Sequence, residues 1–147
     1  MSIQDRTINQ AGLDLIMKFE GCKLGAYFCP ANVLTIGYGH TGADVKQGDK
    51  ITEAEAERLL LKDLKKFCDA VAEMVKVDIN DNQFSALVCI AFNIGAGALK
   101  ASTLMKNVNA KSFAKAAAEF DKWNKAGGVV LTGLVKRRAA ERALFTS

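Results

Sequence analysis

The longest unbroken helical pattern in the chain runs from Thr52 to Val75 and limits the folds that the chain can adopt. Thr52 and Glu55 have the spacing of a capping box, so a helix is expected to begin at about Glu53. Apolar side chains then recur at helical intervals for about six turns without a Gly or Pro. They are Leu60, Leu64, Phe67, Cys68, Val71, Met74 and Val75. So long a helix in a chain of 147 residues predicts two lobes that the helix joins.

The segments on the two sides of this helix differ in character. Upstream, glycines, aromatic and β-branched residues predict strands at 26–28 and 33–36 around a turn at 29–32, where Asn32 tolerates positive φ. Other predicted elements are helices at 9–20, 80–94, 103–108, 113–122 and 134–145, and a turn at 126–128. We therefore predict a mainly helical α+β fold in a single domain, 1–147. Its small β-containing lobe spans about 16–60, and its all-helical lobe spans about 61–147 plus the N-terminal segment.

The composition restricts the class of protein but does not identify a binding partner. Half of the residues are hydrophobic and the charged 24% are of mixed sign, which disfavours disorder. The net charge of +4 fits a nucleic-acid binder, an anionic-surface binder or an ordinary soluble protein. No apolar run could span a bilayer, and the start, MSIQDRTINQ, lacks the apolar segment of an export signal. We expect a soluble protein without stable membrane insertion.

The cysteines and the single histidine disfavour a metal site. None of the four cysteines forms a C-x-x-C pair, so we expect no metal and no other cofactor. Cys68 and Cys89 lie in apolar helical runs and are expected to be core thiols. Cys22 and Cys29 either form a disulfide or stay reduced, and the missing export signal favours the reduced pair.

Glu20 is the first candidate for chemistry. It continues the apolar face of the first helix and lies at its C-terminus, before Gly21. Burial and the helix dipole both raise the pKa of a carboxyl group there, as a general acid requires. The alternative is a glutamate that reaches solvent. Cys29 and Thr35 follow in the hairpin, which can fold back over the helix end. Glycosidases pair a general acid with a group that positions or activates water. The spacing of Glu20, Cys29 and Thr35 alone does not decide whether Glu20 is such an acid or a glutamate that reaches solvent.

Three segments in order resemble the phage lysozymes, or endolysins, over nearly the whole chain. GLDLIMKFEGCKLGAYFCPANVLTIGYGHTG resembles their catalytic region, FSALVCIAFNIGAGALKASTL their central helix and cleft loop, and FDKWNKAGGVVLTGLVKRRAAERALF their C-terminal signature. The resemblance implies a lysozyme-like fold with a substrate cleft between the lobes. It also implies hydrolysis of the β-1,4 bond between N-acetylmuramic acid and N-acetylglucosamine in peptidoglycan. A monomer stored in the host cytoplasm and released through a separate holin pore is the implied setting.

The same resemblance assigns the catalytic roles to Glu20, Cys29 and Thr35. The family carries Asp in a turn like Asp-Pro-Ala-Gly, whereas this chain has Cys29-Pro30-Ala31-Asn32. In the family scheme the Glu protonates the leaving oxygen, while the Asp and Thr hold the water that inverts the anomeric carbon. Three alternatives follow for Cys29: it polarises the water with inversion, it attacks as a thiolate with retention, or it leaves the activity weak or absent.

Further positions are assigned by resemblance only. The substrate-binding set is Thr41, Phe92, Asn93 and Thr103, and the supporting set is His40 and Arg137. Three of these assignments have a structural alternative: Phe92 as a core residue, His40 as a structural histidine, and the run Lys136-Arg137-Arg138, which contains Arg137, as a solvated face. One of these arginines could instead turn toward Glu20 and lower its pKa.

Two rivals of other classes remain at this level. One is a peptidoglycan-binding module that kept the fold and lost the chemistry at Cys29. The other is a small nucleic-acid binder, which is disfavoured because the aromatic residues are not interleaved with the basic ones. We therefore expect no nucleic-acid partner.

Overall fold

The computed structural model describes residues 6–147, which form seven helices and five short strands. In chain order the elements are α1 (Gln10–Glu20), β1 (Lys23–Phe28), β2 (Leu34–Gly37), β3 (His40–Thr41), α2 (Glu53–Met74), α3 (Asp81–Ile94), α4 (Ala96–Lys100), α5 (Thr103–Asn109), α6 (Phe113–Phe120), β4 (Lys125–Ala126), β5 (Val129–Val130) and α7 (Thr132–Phe145). The predicted α+β class is confirmed. Residues 1–5, which open the segment in which the sequence predicts no export signal, lie outside the described residues. None of the described helices is both long and apolar enough to cross a membrane.

Side-chain caps explain where the predicted helices begin. At α1, Gly12 N donates to Asn9 Oδ1 at 3.0 Å. At α2, Glu55 N donates to Thr52 Oγ1 at 3.2 Å. At α3, Gln83 N donates to Asn80 Oδ1 at 2.7 Å, and Asn80 N donates back to the Gln83 side chain at 2.8 Å. Each cap satisfies an amide that the helix itself leaves unpaired, so the sequence defines these starts locally.

The chain divides into two compact units. The smaller unit is Ile16–Lys65, and the larger unit comprises the chain up to Leu15 together with Lys66–Ser147. α1 and α2 each contribute residues to both units.

The smaller unit is built on an antiparallel sheet in the order β1-β2-β3. Thr35 pairs with Tyr27 and Thr41, while its neighbour Ile36 pairs with His40. Because side chains alternate along a strand, Ile36 and His40 project from one face and Thr35 and Thr41 from the other. The Ile36 face covers the core of this unit, which consists of Ile36, Val45 and Leu59 with Ala26, Leu34 and Ile51 against them.

The larger unit is centred on α3, in which every residue from Phe84 to Ala91 is buried. α3 packs against α7, and α5 packs against α6. Cys68 and Cys89 are both buried free thiols, as predicted, and Cys89 Sγ donates to Gly12 O at 3.3 Å. A Cβ on Gly12 would lie 2.9 Å from Ser85 Cβ, so only glycine permits this close approach of α1 to α3.

Four short elements were given no predicted bounds, and β3, with two residues, is one of them. α4 has five residues, and β4 and β5 have two each, which is too short for a helical or strand period to emerge. The predicted turn at 126–128 is the tip of the β4–β5 hairpin, where Gly127 and Gly128 have φ of 58° and 80°. α7 begins at Thr132, two residues before its predicted start.

Candidate active site

Glu20 is the last residue of α1, and its side chain is half-buried. The next residue, Gly21, has φ of 70°, the left-handed conformation that commonly ends a helix. Glu20 Oε1 lies 3.8 Å from the position that a Cβ on Gly39 would take. Gly39 belongs to the tight turn between β2 and β3. The carboxyl group therefore lies beside the turn of the sheet that carries Thr35.

Thr35 is buried on β2, and its hydroxyl donates to Val33 O at 2.8 Å. The hydroxyl oxygen keeps lone pairs with which it can accept a hydrogen bond from a further group. Thr41, its partner on β3, is exposed on the same face of the sheet.

Cys29 is the first residue of the turn between β1 and β2. The turn is tight because Asn32 N donates to Cys29 O at 2.7 Å and Asn32 has φ of 62°, so the predicted positive φ is confirmed. Hydrogen bonds from the main-chain amides of Val33 and Ala31 hold the pKa of the Cys29 thiol below its ordinary value, and the Thr35 hydroxyl acts in the same direction. Partial desolvation opposes this shift but does not cancel it. Cys22 and Cys29 are both free thiols. At the position where the family pattern has a carboxylate, the chain has a thiol whose ionisation is promoted by the turn.

His40 is held by two carboxylates. Its Nδ1 lies 2.8 Å from Asp63 Oδ2 and its Nε2 lies 2.9 Å from Asp44 Oδ2. Burial by itself lowers the pKa of His40, but the hydrogen bonds to Asp63 and Asp44 outweigh burial and raise it. The same contact lowers the pKa of Asp44. Since Asp63 belongs to α2, the His40 side chain links β3 to that helix.

This clamp gives a pH-dependent contribution to stability. Because the pKa of His40 in the folded protein is raised above 6.5, the contribution is present below pH 6.5 and is lost as pH rises through the folded pKa. We expect His40→Asn to lower the free energy of unfolding by about 1–3 kcal/mol at pH 5.5. Urea denaturation of the parent and the variant at pH 5.5 and pH 9 measures this. A difference that stays equal at the two pH values would contradict the charged clamp.

The other predicted site residues lie in the larger unit. Phe92 is half-buried and packs edge-on against Phe67, with ring centroids 5.3 Å apart, which favours its core interpretation. Asn93 is exposed near the end of α3, and its Oδ1 accepts from Arg138 Nη2 at 2.6 Å. Thr103 is exposed at the first turn of α5. Arg137 is buried.

A buried ionic network on α7 was missed by sequence reasoning. Arg137 and Arg138 are buried, so the solvated-face interpretation is wrong for both. Arg138 Nε lies 3.0 Å from Glu141 Oε1, and Arg137 Nε lies 3.5 Å from Glu141 Oε2. Burial raises the pKa of Glu141 to about 7, although Arg138 and Arg137 oppose this shift. The Arg-Arg-x-x-Glu spacing was the available signal, because it places these side chains on one helix face.

Five predicted residues, Glu20, Cys29, Thr35, His40 and Thr41, thus belong to the smaller unit, and the other four belong to the larger one. Across the described range, 6–147, no group of three or more His, Cys, Asp or Glu side chains could hold a metal ion.

Comparison with known proteins identifies the family of the chain. The phage lysozyme family profile matches residues 17–141. The chain belongs to the phage lysozyme family. Its sequence is 52% identical over 140 residues to the endolysin of Bacillus phage B103, covering 94% of this chain and 53% of that protein. It is 39% identical over 144 residues to the endolysin of Salmonella phage P22, covering 95% and 98%.

The fold of this chain is also similar to that of solved structures. The muramidase domain of SpmX from Asticaccaulis excentricus superimposes with a TM-score of 0.90 at 37% identity, covering 97% of this chain and 99% of that one. The lysozyme-like fold is therefore confirmed. This phage lysozyme chain spans about half the length of the Bacillus phage relatives that it matches, and almost the full length of the P22 relative.

Proposed function

We propose that this chain is a muramidase of the endolysin type, which hydrolyses the β-1,4 bond between N-acetylmuramic acid and N-acetylglucosamine in bacterial peptidoglycan and so lyses the host. The observation that carries the proposal is the Glu20 carboxyl group beside the β2–β3 turn, on the sheet that bears Thr35. Glycoside hydrolysis requires a general acid and a group that positions the attacking water. In this proposal Glu20 and Thr35 of the smaller unit fill these roles.

In this mechanism Glu20 donates its proton to the glycosidic oxygen as the bond to the anomeric carbon breaks. A water on the opposite face of the sugar is held by the Cys29 thiolate and by the Thr35 hydroxyl oxygen. One proton of that water passes to Cys29 while its oxygen bonds to the anomeric carbon, which inverts the configuration. Return of a proton from Cys29 to Glu20 through solvent restores both groups. The lowered pKa of Cys29 supports the thiolate that this step requires.

The main alternative is attack by Cys29 itself, which would form a thioglycoside and retain the configuration. The amides of Val33 and Ala31 disfavour it, because the donors that stabilise a thiolate also reduce its nucleophilicity. Proton NMR of the first product separates the two: the inverted anomer supports the water mechanism, and the retained anomer supports the covalent one. A third alternative is a chain with weak or no activity that binds peptidoglycan only.

Digestion of purified peptidoglycan tests the proposal. We expect new reducing ends at N-acetylmuramic acid, which borohydride reduction followed by mass spectrometry identifies as muramitol-terminated fragments. Binding to peptidoglycan without new reducing ends would establish the binding-module alternative. Reducing ends at N-acetylglucosamine would show a glycosidase of another specificity.

The oligomeric state, the location and the route to the cell wall are part of the same proposal. We infer that the protein acts as a monomer and reaches the wall from the host cytoplasm once a separate holin permeabilises the membrane. Some relatives carry the name SAR-endolysin, among them one of Bacteriophage PS119 at 38% identity. We also infer no nucleic-acid role, which is supported by the burial of Arg137 and Arg138, since phosphate contacts require exposed basic groups.

A further inference from the structure

The larger unit contains a cavity of about 420 Å³ between the C-terminal end of α2 and helices α4 and α5. Every described residue that lines the cavity belongs to this unit, and the residues proposed for hydrolysis and substrate binding are not among them. The lining is mainly apolar, with a few charged and polar side chains. Cavities of this size and character are where proteins commonly bind small molecules.

The apolar wall of the cavity is held in place by hydrogen bonds of the chain itself. Met74 and Met105 line the cavity from α2 and α5, and both are buried. Asn109 of α5 ties the two helices together, because its Oδ1 accepts from Lys76 N at 2.7 Å and its Nδ2 donates to Met74 O at 3.0 Å. A ligand therefore meets an ordered surface, so binding costs the protein little conformational entropy.

The charges of the lining indicate the charge of the ligand. Lys76 and Lys100 contribute two ammonium groups and Glu73 contributes one carboxylate, so the net charge of the lining is +1. The Lys76 ammonium donates to Glu73 O at 2.6 Å, which engages one of its three N–H donors and orders the cation. An ordered cation beside an apolar wall favours a ligand with a single negative charge and an aliphatic body.

Gly97 of α4 lines the cavity, and its lack of a side chain has no other structural explanation. Glycine destabilises a helix relative to alanine, and it is normally kept for a special backbone conformation or a close contact. Gly95, just before α4, has such a conformation, with φ of 99°. Gly97 has no positive φ, and a Cβ placed on it would have no atom within 4 Å. A side chain at Gly97 would therefore take up open space where this residue lines the cavity.

We propose that the cavity binds a small carboxylate with a short aliphatic body. Lys76 and Lys100 meet its charge, and its apolar part lies against Met74 and Met105. This inference goes beyond the proposed function and does not depend on it. Two sources supply the shared chemistry of a carboxylate attached to an alkyl group: the carboxyl end of a peptide that finishes in alanine, and a free aliphatic acid.

Binding is measured by amide NMR spectra with two probes and their neutral counterparts. Hexanoate represents the free acid, N-acetyl-D-alanyl-D-alanine represents the peptide end, and the primary amide of each removes the charge. We expect saturable shifts at 73–76 and 96–100 with a carboxylate, and binding of its amide that is weaker by about tenfold or more, since charge-assisted hydrogen bonds are the stronger ones. The probe with the lower Kd identifies the source, and equal values assign the site to both kinds of carboxylate.

Gly97→Leu tests the location of the ligand. The added side chain is expected to weaken binding of the carboxylate by about tenfold or more, because it takes up space that the ligand needs. Gly133→Leu on α7 is the matched control, since Gly133 also has room for a Cβ and no positive φ but does not line the cavity. Its Kd is expected to equal that of the parent, and thermal melts establish that both variants are folded.

Lysine variants test the charge, and they decide the matter even if Gly97→Leu does not fold. Lys76→Gln and Lys100→Gln are each expected to weaken binding of the carboxylate by about threefold to tenfold and to leave binding of its amide unaltered. Lys106→Gln removes an exposed charge of α5 that does not line the cavity, so it should retain the parent Kd.

Three results would overturn the inference or a part of it. The absence of saturable shifts at 96–100 with either carboxylate, at up to about 50 mM, would overturn it entirely, because ligands of this size bind a fitting site more tightly than that. Equal affinity for a carboxylate and its amide would overturn the choice of an anion, and parent affinity in folded Gly97→Leu would overturn the location. These are binding measurements on the intact chain, so their failure leaves the proposed hydrolysis untouched, and a lack of hydrolysis leaves them unaffected.

Discussion

Replacement of Glu20 by Gln is expected to lower the rate of peptidoglycan hydrolysis by roughly 10²–10⁴-fold, the usual contribution of a general acid. The amide has nearly the shape of the carboxylic acid and fits beside the Gly39 turn, but it has no proton of suitable acidity to give to the leaving oxygen. Initial rates of turbidity loss, with purified peptidoglycan as the substrate, measure the effect.

A matched change elsewhere separates chemistry from charge. Glu73 is exposed in the last turn of α2, and Glu73→Gln is expected to retain the parent rate. Thermal melts of both variants establish that each is folded at the assay temperature. A Glu20→Gln variant that kept more than about a tenth of the parent rate would rule out Glu20 as the general acid.

Cys29→Asp is expected to keep hydrolysis and to extend it to lower pH. If Cys29 acts as an anion, activity is present above the pKa of its thiol and is lost as pH falls through that pKa. The turn lowers this pKa from the ordinary 9.0, and Asp ionises near pH 4, so the acid limb of the pH–rate profile should move down toward that value. The measurement is kcat/KM against pH for parent and variant.

Two further cysteine variants test whether the expected pH dependence comes from Cys29 and not from another thiol. Cys29→Ala removes the anion and is expected to lose roughly 10²-fold or more in rate. Cys22→Ala changes the other half-buried thiol of the smaller unit and should keep the parent pH profile. A Cys29→Ala variant as active as the parent would show that Cys29 has no catalytic role, and would leave Thr35 alone to hold the water.

The parts of the fold that were predictable depend on residues within a few positions of each other. Asn9, Thr52 and Asn80 cap their helices through contacts to amides three residues on. The Cys29–Asn32 turn likewise closes on itself. Such contacts involve only residues close in sequence, so a pattern in the sequence is enough to indicate them. Glu20 was indicated by its place at the end of the first helix, whereas the roles of Cys29 and Thr35 were implied by the resemblance to the phage lysozymes.

The rest was decided by contacts between segments that are distant in sequence. His40 meets Asp63 across 23 positions, and Asn93 meets Arg138 across 45. The spacing of Arg137, Arg138 and Glu141 indicates that they share a helix face, but it does not indicate burial, because whether a helix face is buried depends on what packs against it. The sequence by itself determined the longer helices and strands, three helix caps and the residue types of the candidate site. Only the tertiary structure decided which charges are buried and which amide is oriented, since desolvation and long-range hydrogen bonds exist only once the chain has packed.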